Sequence, residues 1–159
     1  MNPALKADPA MQRALVENVL RPRFDLERSL ALILREHWTS APADARQAVL
    51  DAFYDFLLAS YGSALHWFRP DTITVLPEQP PLVADRYRVQ TVLRMHDGET
   101  YRVQFYLRQK DGAWHVIDVI VDGVSYVRTW NSDFGAIVRA GGLQGLVDWL
   151  NETAAKRLR

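Results

Sequence analysis

Hydrophobic residues recur at helical spacing through the first 68 positions of the chain. Pro9, Asp25 and Pro42 lie where helices should begin, because proline suits a first helical turn and aspartate is a common N-cap. The predicted helices cover about 9–21, 25–38 and 43–68. We therefore expect the part from about 9 to 68 to be helical, with the third helix the longest.

After Pro70 the period of the hydrophobic pattern changes to two. Between 101 and 109, apolar and aromatic residues alternate with arginine and glutamine, which is typical of a strand with one buried and one exposed face. Asp111 and Gly112 form a typical two-residue hairpin turn. The predicted strands cover about 72–76, 86–95, 101–109 and 114–121. The pattern therefore predicts an antiparallel sheet of three or four strands, within a region of about 72–127.

The last part of the chain returns to helical spacing. Asn131 or Ser132 is a suitable N-cap for a short helix that reaches Arg139, and Gly141-Gly142 should end it. Leucine and valine residues then form the stripe of a final helix, so closing helices are expected over about 132–157. Helices, then an antiparallel meander, then helices predict an α+β fold.

Composition limits the functional classes. A chain of 159 residues, 48% of them hydrophobic, is long enough for one domain over 1–159 with a sizeable core. Lysine plus arginine and aspartate plus glutamate number 19 each, so no net field attracts nucleic acid or an anionic membrane. The longest aliphatic run, Leu30 to Leu34, is too short to span a membrane, and no signal peptide pattern is visible.

Few residues are suited to catalysis or metal binding. The chain has no cysteine, and its four histidines lack the spacing of a metal site, so no metal ligands are predicted. Asp118, within the apolar run VIDVIV, is a candidate general base for a small-molecule isomerase or hydratase with a carboxylate in an apolar pocket. A carboxylate that binds backbone groups or an arginine at a strand end is the alternative, and the sequence pattern favours it.

Two segments carry a family resemblance. The run WHVIDVIVDGVSYVRTWNSDFGAIVRAGGLQGLVDWL, residues 114–150, has the pattern W-x-V-x-D-V-x-x-x-G-V-S, followed by an aromatic residue, a Gly-Gly step and an amphipathic helix. Residues 19–65 add an L-x-P-x-x-D break, a step from Trp38 to Arg46, and a helix with Phe53, Leu57 and Tyr61. Together these motifs resemble the MlaC family, the toluene-tolerance type of ABC-transporter auxiliary protein.

The resemblance implies a periplasmic phospholipid carrier. Members of this family carry lipid between an outer-membrane lipoprotein complex and an inner-membrane ABC transporter complex, which maintains the lipid asymmetry of the outer membrane. The implied fold is an NTF2-like curved sheet covered by helices, with acyl chains inside and the headgroup exposed. The resemblance further implies a monomer with no catalytic residues and no cofactor. Another apolar cargo, such as a hopanoid, remains an alternative to a diacyl phospholipid.

A lipid carrier needs an open interior, whereas a scaffolding domain or an ordinary enzyme of this size has a filled core or a small pocket. We expect the cavity wall to be formed by inward residues of the strands, the stripe of the long helix, residues after the Asp122-Gly123 turn, and the final helix. The predicted lipid-binding residues are Phe53, Leu57, Tyr61, Leu65, Val103, Phe105, Leu107, Trp114, Val116, Val124, Val127 and Leu146.

Overall fold

The computed structural model describes Ala14 and Pro80 together with residues 16–61, 70–77 and 85–157. Its helical elements are a π-helical turn Val16–Leu20, a 3₁₀ turn Arg21–Arg23, α1 Leu26–Leu34, α2 Glu36–Thr39, α3 Ala43–Tyr61 and α4 Tyr126–Arg157. Its strands are β1 Pro70–Val75, β2 Arg86–Met95, β3 Thr100–Lys110, β4 Ala113–Val121 and β5 Val124–Ser125. The predicted α+β class is confirmed. Residues 9–13 and 15 of the predicted first helix and the end of the predicted third helix lie outside the described residues.

The helix predicted over 25–38 is divided in two. Asp25 caps α1 as expected, because its Oδ1 accepts a hydrogen bond from the backbone N–H of Arg28 at 3.0 Å. Arg35 then adopts a positive φ of 50°, which ends α1 before α2 begins. This break turns the chain so that Trp38 enters the core, where it is 4% exposed.

The sheet contains five strands in sequential order, each antiparallel to its neighbours. Two hairpins turn through Asp-Gly pairs, Asp111-Gly112 and Asp122-Gly123, and all four residues have positive φ. Such turns match the twist of the flanking strands, and asparagine, aspartate and glycine tolerate the required conformation best. The predicted strands and the Asp111-Gly112 hairpin are confirmed, but the two-residue strand β5 was missed.

A β-bulge interrupts the pairing of β3 with β4. Tyr106 pairs with Asp118 and Leu107 pairs with Val116, so Ile117 has no partner in β3. The carbonyl oxygen of Ile117 instead accepts a hydrogen bond from the Ser29 hydroxyl at 2.9 Å. Bulges bend and twist a strand. Here the bulge lies where the first turn of α1 is joined to the sheet.

The main hydrophobic core lies among the helices and not between the helices and the sheet. Its buried members are residues of α1 to α4, and Phe53 occupies its centre with ring contacts to Trp130 at 5.1 Å and to Phe134 at 6.0 Å. Buried residues of the sheet, such as Leu93 and Val103, are not members of this cluster. The inner face of the sheet therefore faces something other than close-packed helix side chains.

Helix α4 begins earlier than the sequence indicated. It starts at Tyr126, directly after β5, and runs to Arg157 with a kink at Gly142. The proposed N-caps Asn131 and Ser132 both lie inside it, and the Asn131 side-chain amide donates a hydrogen bond to the carbonyl oxygen of Ile33. Gly142 has a non-helical conformation, so the helix predicted to end at Gly141-Gly142 does end there, and the next helical stretch follows across the kink without a loop.

Candidate functional site

A cavity of about 440 Å³ lies between α3, the first turns of α4 and the inner face of the sheet. Its wall is almost entirely aliphatic and aromatic. The residues on this wall are Val16, Arg21, Phe24, Leu26, Ser29, Phe53, Tyr54, Leu57, Leu58, Tyr61, Leu93, Val103, Phe105, Ile117, Asp118, Val119, Val121, Tyr126, Val127 and Trp130.

The size of this cavity is incompatible with a filled core. Protein interiors are packed like organic crystals and contain few voids larger than one water molecule. Water occupies about 30 Å³ per molecule in the liquid, and a methylene group is of similar size, so 440 Å³ corresponds to roughly fifteen methylene groups. An apolar space of this size attracts apolar ligands more strongly than water.

Half of the predicted lipid-binding residues lie on the cavity wall. The predicted residues that lie on it are Phe53, Leu57, Tyr61, Val103, Phe105 and Val127. They come from the stripe of α3, from the inward positions of β3 and from the first turn of α4, so three separate segments of the chain meet at one space. Leu65 lies outside the described residues.

The other predicted residues lie elsewhere. Val124 is 61% exposed and Trp114 is 44% exposed, and each is close to the tip of a hairpin. Leu146 is fully buried, but it belongs to the core between the helices. Leu107 and Val116 pair with each other beyond the bulge, where Phe24 lies beside Val116, and they do not reach the cavity. The prediction that these residues line the cavity was wrong.

Several wall residues were missed because of two local features. The bulge at Ile117 makes Ile117, Val119 and Val121 the inward residues of β4 in place of Trp114 and Val116. The early start of α4 brings Tyr126 and Trp130 onto the wall, whereas the sequence analysis began the closing helices at about residue 132. Tyr126 and Trp130 are four positions apart, which was a helical signal that could have identified them.

Asp118 contributes an acidic side chain to the cavity wall, but both of its oxygens are engaged. Oδ2 accepts a hydrogen bond from the Ser125 hydroxyl at 2.7 Å, and Oδ1 accepts one from the backbone N–H of Val127 at 3.1 Å. The Ser125 Oγ accepts a hydrogen bond from the N–H of Arg128 at 3.1 Å. Asp118 therefore accepts a hydrogen bond from a free backbone N–H at the N-terminus of α4. This is the kind of role that the sequence pattern favoured over that of a general base.

Two tyrosines lie side by side on the wall. The rings of Tyr61, at the end of α3, and Tyr126, at the start of α4, meet edge to face at 6.0 Å. Burial raises the pKa of the Tyr61 hydroxyl above its usual value, and the neighbouring Tyr126 raises that pKa further. The Tyr61 hydroxyl therefore stays protonated and uncharged at neutral pH, as an apolar cavity requires.

Metal sites and membrane-spanning helices are two features that the described part of the chain lacks. Among these residues, no cluster of three or more His, Asp or Glu side chains is arranged to hold a metal ion. None of the helices that the structure describes combines the length and apolar character needed to cross a membrane.

Comparison with known proteins agrees with this architecture. A solved structure from Ralstonia solanacearum, described as a phospholipid-binding protein in complex with a phospholipid, has a similar fold with a TM-score of 0.89 and 23% sequence identity. The match covers 99% of this chain and 89% of the Ralstonia chain. The family model described as MlaC protein matches residues 2–152. This chain therefore belongs to the MlaC family.

Proposed function

We propose that this protein is a periplasmic carrier that encloses the acyl part of a phospholipid in the cavity and leaves the headgroup outside it. The observation that carries the proposal is the apolar space of about 440 Å³ between the sheet and the helices. Family membership supports it, and so does the Ralstonia solanacearum protein of similar fold, whose structure contains a phospholipid.

The physical need for such a carrier follows from the hydrophobic effect. A diacyl lipid contains about thirty methylene groups, and each costs about 0.8 kcal/mol to expose to water. The total, on the order of 25 kcal/mol, makes diffusion of free lipid through water negligible. Inside a carrier, the chains exchange one apolar environment for another, so loading and release can both occur with little net free energy.

The volume also limits what binds. Roughly fifteen methylene groups fit into 440 Å³, which is close to one fatty acyl chain. One chain therefore fills the described cavity, and a second chain requires the cavity to widen. A hopanoid or another apolar cargo of similar size is the alternative ligand, and the composition of extracted lipid distinguishes the two.

The proposal also includes the transfer of lipid between two membranes. Family membership suggests an outer-membrane lipoprotein complex and an inner-membrane ABC transporter complex as the two partners. Because the exchange itself has little driving force, the direction must come from those partners. The second candidate function, an isomerase or hydratase with Asp118 as base, is disfavoured because the Ser125 hydroxyl and the first turn of α4 bind both oxygens of that carboxylate.

The test compares two neighbours on β4. Val119 lies on the cavity wall, and Ile120, the next residue, points to the opposite face of the sheet because side chains alternate along a strand. We expect native mass spectrometry and lipid extraction to find phospholipid bound to the wild-type chain. Val119→Trp should reduce the bound phospholipid per chain, since the larger side chain occupies cavity volume, and Ile120→Trp should not. A wild-type protein that takes up no phospholipid from vesicles would falsify the proposal.

A further inference from the structure

A second, polar groove of about 380 Å³ adjoins the apolar cavity. The two spaces share four wall residues, namely Arg21, Phe24, Leu26 and Tyr54. They are therefore separated by no more than one layer of side chains. A ligand too long for the cavity can extend from one space into the other if that layer moves.

The charges around the groove have both signs. Arg21 and Lys110 supply positive charge, and four carboxylates supply negative charge, namely those of Asp25, Glu27, Asp51 and Asp111. A groove for an inorganic anion or an anionic headgroup should carry an excess of positive charge, which this groove lacks. A ligand with a phosphate and an ammonium group close together matches this arrangement better than either ion alone.

Two buried polar atoms on the groove wall lack hydrogen bonds. In the described part of the chain, Oδ2 of Asp25 and Nδ1 of His115 are inaccessible to solvent and accept or donate no hydrogen bond. Asp25 Oδ2 has an ion-pair contact with Arg108 at 3.6 Å, but Nδ1 of His115 has no such contact. A buried polar atom without a partner costs free energy, which a polar ligand can recover.

Arg21 stands between the two spaces. Of the described residues on the wall of the apolar cavity, it is the one with a cationic side chain. Its guanidinium lies 4.8 Å from the centre of the Tyr54 ring, which orients it, and its contact with Glu17 is long, at 3.7 Å, and partly exposed. An exposed ion pair of this kind contributes little, so Arg21 can exchange it for a phosphate.

We infer that this groove binds the headgroup of the phospholipid whose acyl chain occupies the cavity, with Arg21 on the phosphate and the carboxylates of Glu27 and Asp51 on a primary ammonium group. The inference rests on the proposed lipid binding. It makes the protein selective for zwitterionic over anionic headgroups, since Glu27, Asp51 and Asp111 repel a headgroup that carries only negative charge. A primary ammonium is favoured over a quaternary one because it can donate hydrogen bonds to carboxylates.

The first experiment measures selection directly. Delipidated protein is incubated with vesicles that contain equal amounts of phosphatidylethanolamine, phosphatidylcholine and phosphatidylglycerol with identical acyl chains, and bound lipid is identified and counted by mass spectrometry. We expect phosphatidylethanolamine to be enriched over phosphatidylglycerol. The double variant Glu27→Gln, Asp51→Asn should reduce this enrichment roughly fivefold, the effect of one exposed charge contact. The control Asp148→Asn removes an acidic side chain from the exposed part of α4, outside the groove, and should leave the enrichment unchanged.

The outcomes separate the two proposals. If the wild-type chain binds phospholipid without enriching phosphatidylethanolamine, the headgroup site is wrong and the carrier function stands. The same conclusion follows if the double variant keeps the wild-type enrichment. If the wild-type chain binds no phospholipid, both proposals fail.

A second experiment tests the groove without acyl chains. Glycerophosphoethanolamine is titrated into the delipidated protein, and the imidazole resonances are followed by NMR. The resonance of His115 should shift, and that of His96, whose side chain is 95% exposed on another hairpin, should not. Arg21→Gln should weaken the shift, and Arg139→Gln, on the exposed face of α4, should not. An equal response to inorganic phosphate alone would indicate a simple anion site and overturn the inference.

Discussion

Asp118 and Ser125 are joined by a hydrogen bond of 2.7 Å, and each also accepts a hydrogen bond from the first turn of α4. The pair thus provides acceptors for two backbone N–H groups that have no partner within the helix. Because the helix starts here, Val127 and Trp130 fall on the cavity wall. A carboxylate in an apolar surrounding, which in an enzyme suggests catalysis, therefore serves to begin a helix.

Removal of the Asp118 or the Ser125 side chain should lower the free energy of unfolding. Ser125→Ala removes an N-cap, for which the expected loss is about 1 kcal/mol of the free energy of unfolding. Asp118→Ala also leaves the Val127 N–H and the Ser125 hydroxyl without their acceptor, so we expect about 1–3 kcal/mol. Urea denaturation of both single variants and the double variant measures these losses. Ser132→Ala, on an exposed position of α4, is the control and should change stability little. Additive losses would show that the two side chains do not act as one cap.

The regular parts of the fold could be predicted because their signals are local. The period-two pattern of β3 identified Val103 and Phe105 as inward residues, and the Asp111-Gly112 pair identified its hairpin. The helical stripe of α3 likewise identified Phe53 and Leu57. Each of these signals depends on residues within a few positions of one another, so one sequence is enough to find them.

The remaining features depend on contacts between distant segments. The bulge at Ile117 has no pattern of its own, and its carbonyl oxygen is bound by Ser29, which is 88 positions away. The spacing of Tyr126 and Trp130 indicates a helix, but the residue at which α4 begins depends on a cap that comes in part from Asp118 on β4. The mixed-charge groove combines the α1 region, α3 and the β3–β4 hairpin. None of these is visible from local periodicity.

Substitutions at Val124 and Val127 should have opposite results. Val124 is 61% exposed, so Val124→Glu should change the free energy of unfolding by less than about 0.5 kcal/mol and leave lipid binding intact. Val127 lies on the cavity wall, and Val127→Glu buries a carboxylate without a partner, at a cost of several kcal/mol. Thermal denaturation and lipid extraction measure both effects. Threonine has a shape similar to that of valine, so Val127→Thr should fold, and it should bind less phospholipid than Val124→Thr. Equal binding by these two variants would contradict the position assigned to Val127.

Adjacent glycines in α4 should also differ. Gly142 has φ 66° and ψ −167°, a conformation that is nearly restricted to glycine, so Gly142→Ala should cost about 1–3 kcal/mol. Gly141 has no such conformation, and a methyl group there meets nothing within 4 Å. Gly141→Ala should therefore stabilise the protein by about 0.5–1 kcal/mol through its helix propensity. Chemical denaturation of the two variants is the measurement, and a stabilising Gly142→Ala would mean that α4 is not kinked at this residue in solution.

The raised pKa of Tyr61 predicts a specific loss of stability in alkaline solution. Its cause is first burial and then the neighbouring Tyr126. In the unfolded chain the tyrosine loses its proton near pH 10, whereas in the folded protein it stays protonated to higher pH. The unfolded state is therefore favoured increasingly as the pH rises above about 10. The stability that is associated with the protonated Tyr61 is fully lost above its folded-state pKa. Tyr61→Phe keeps the ring and removes the ionisation.

The free energy of unfolding should thus fall less between about pH 9 and about pH 11 in Tyr61→Phe than in the wild-type protein. All other ionisable groups are the same in both proteins, so the difference between the two curves reports Tyr61. Denaturant titrations at several pH values provide the curves. Parallel curves would mean that the Tyr61 hydroxyl is as accessible to solvent in the folded protein as in the unfolded chain, and that water reaches the part of the cavity wall formed by Tyr61 and Tyr126.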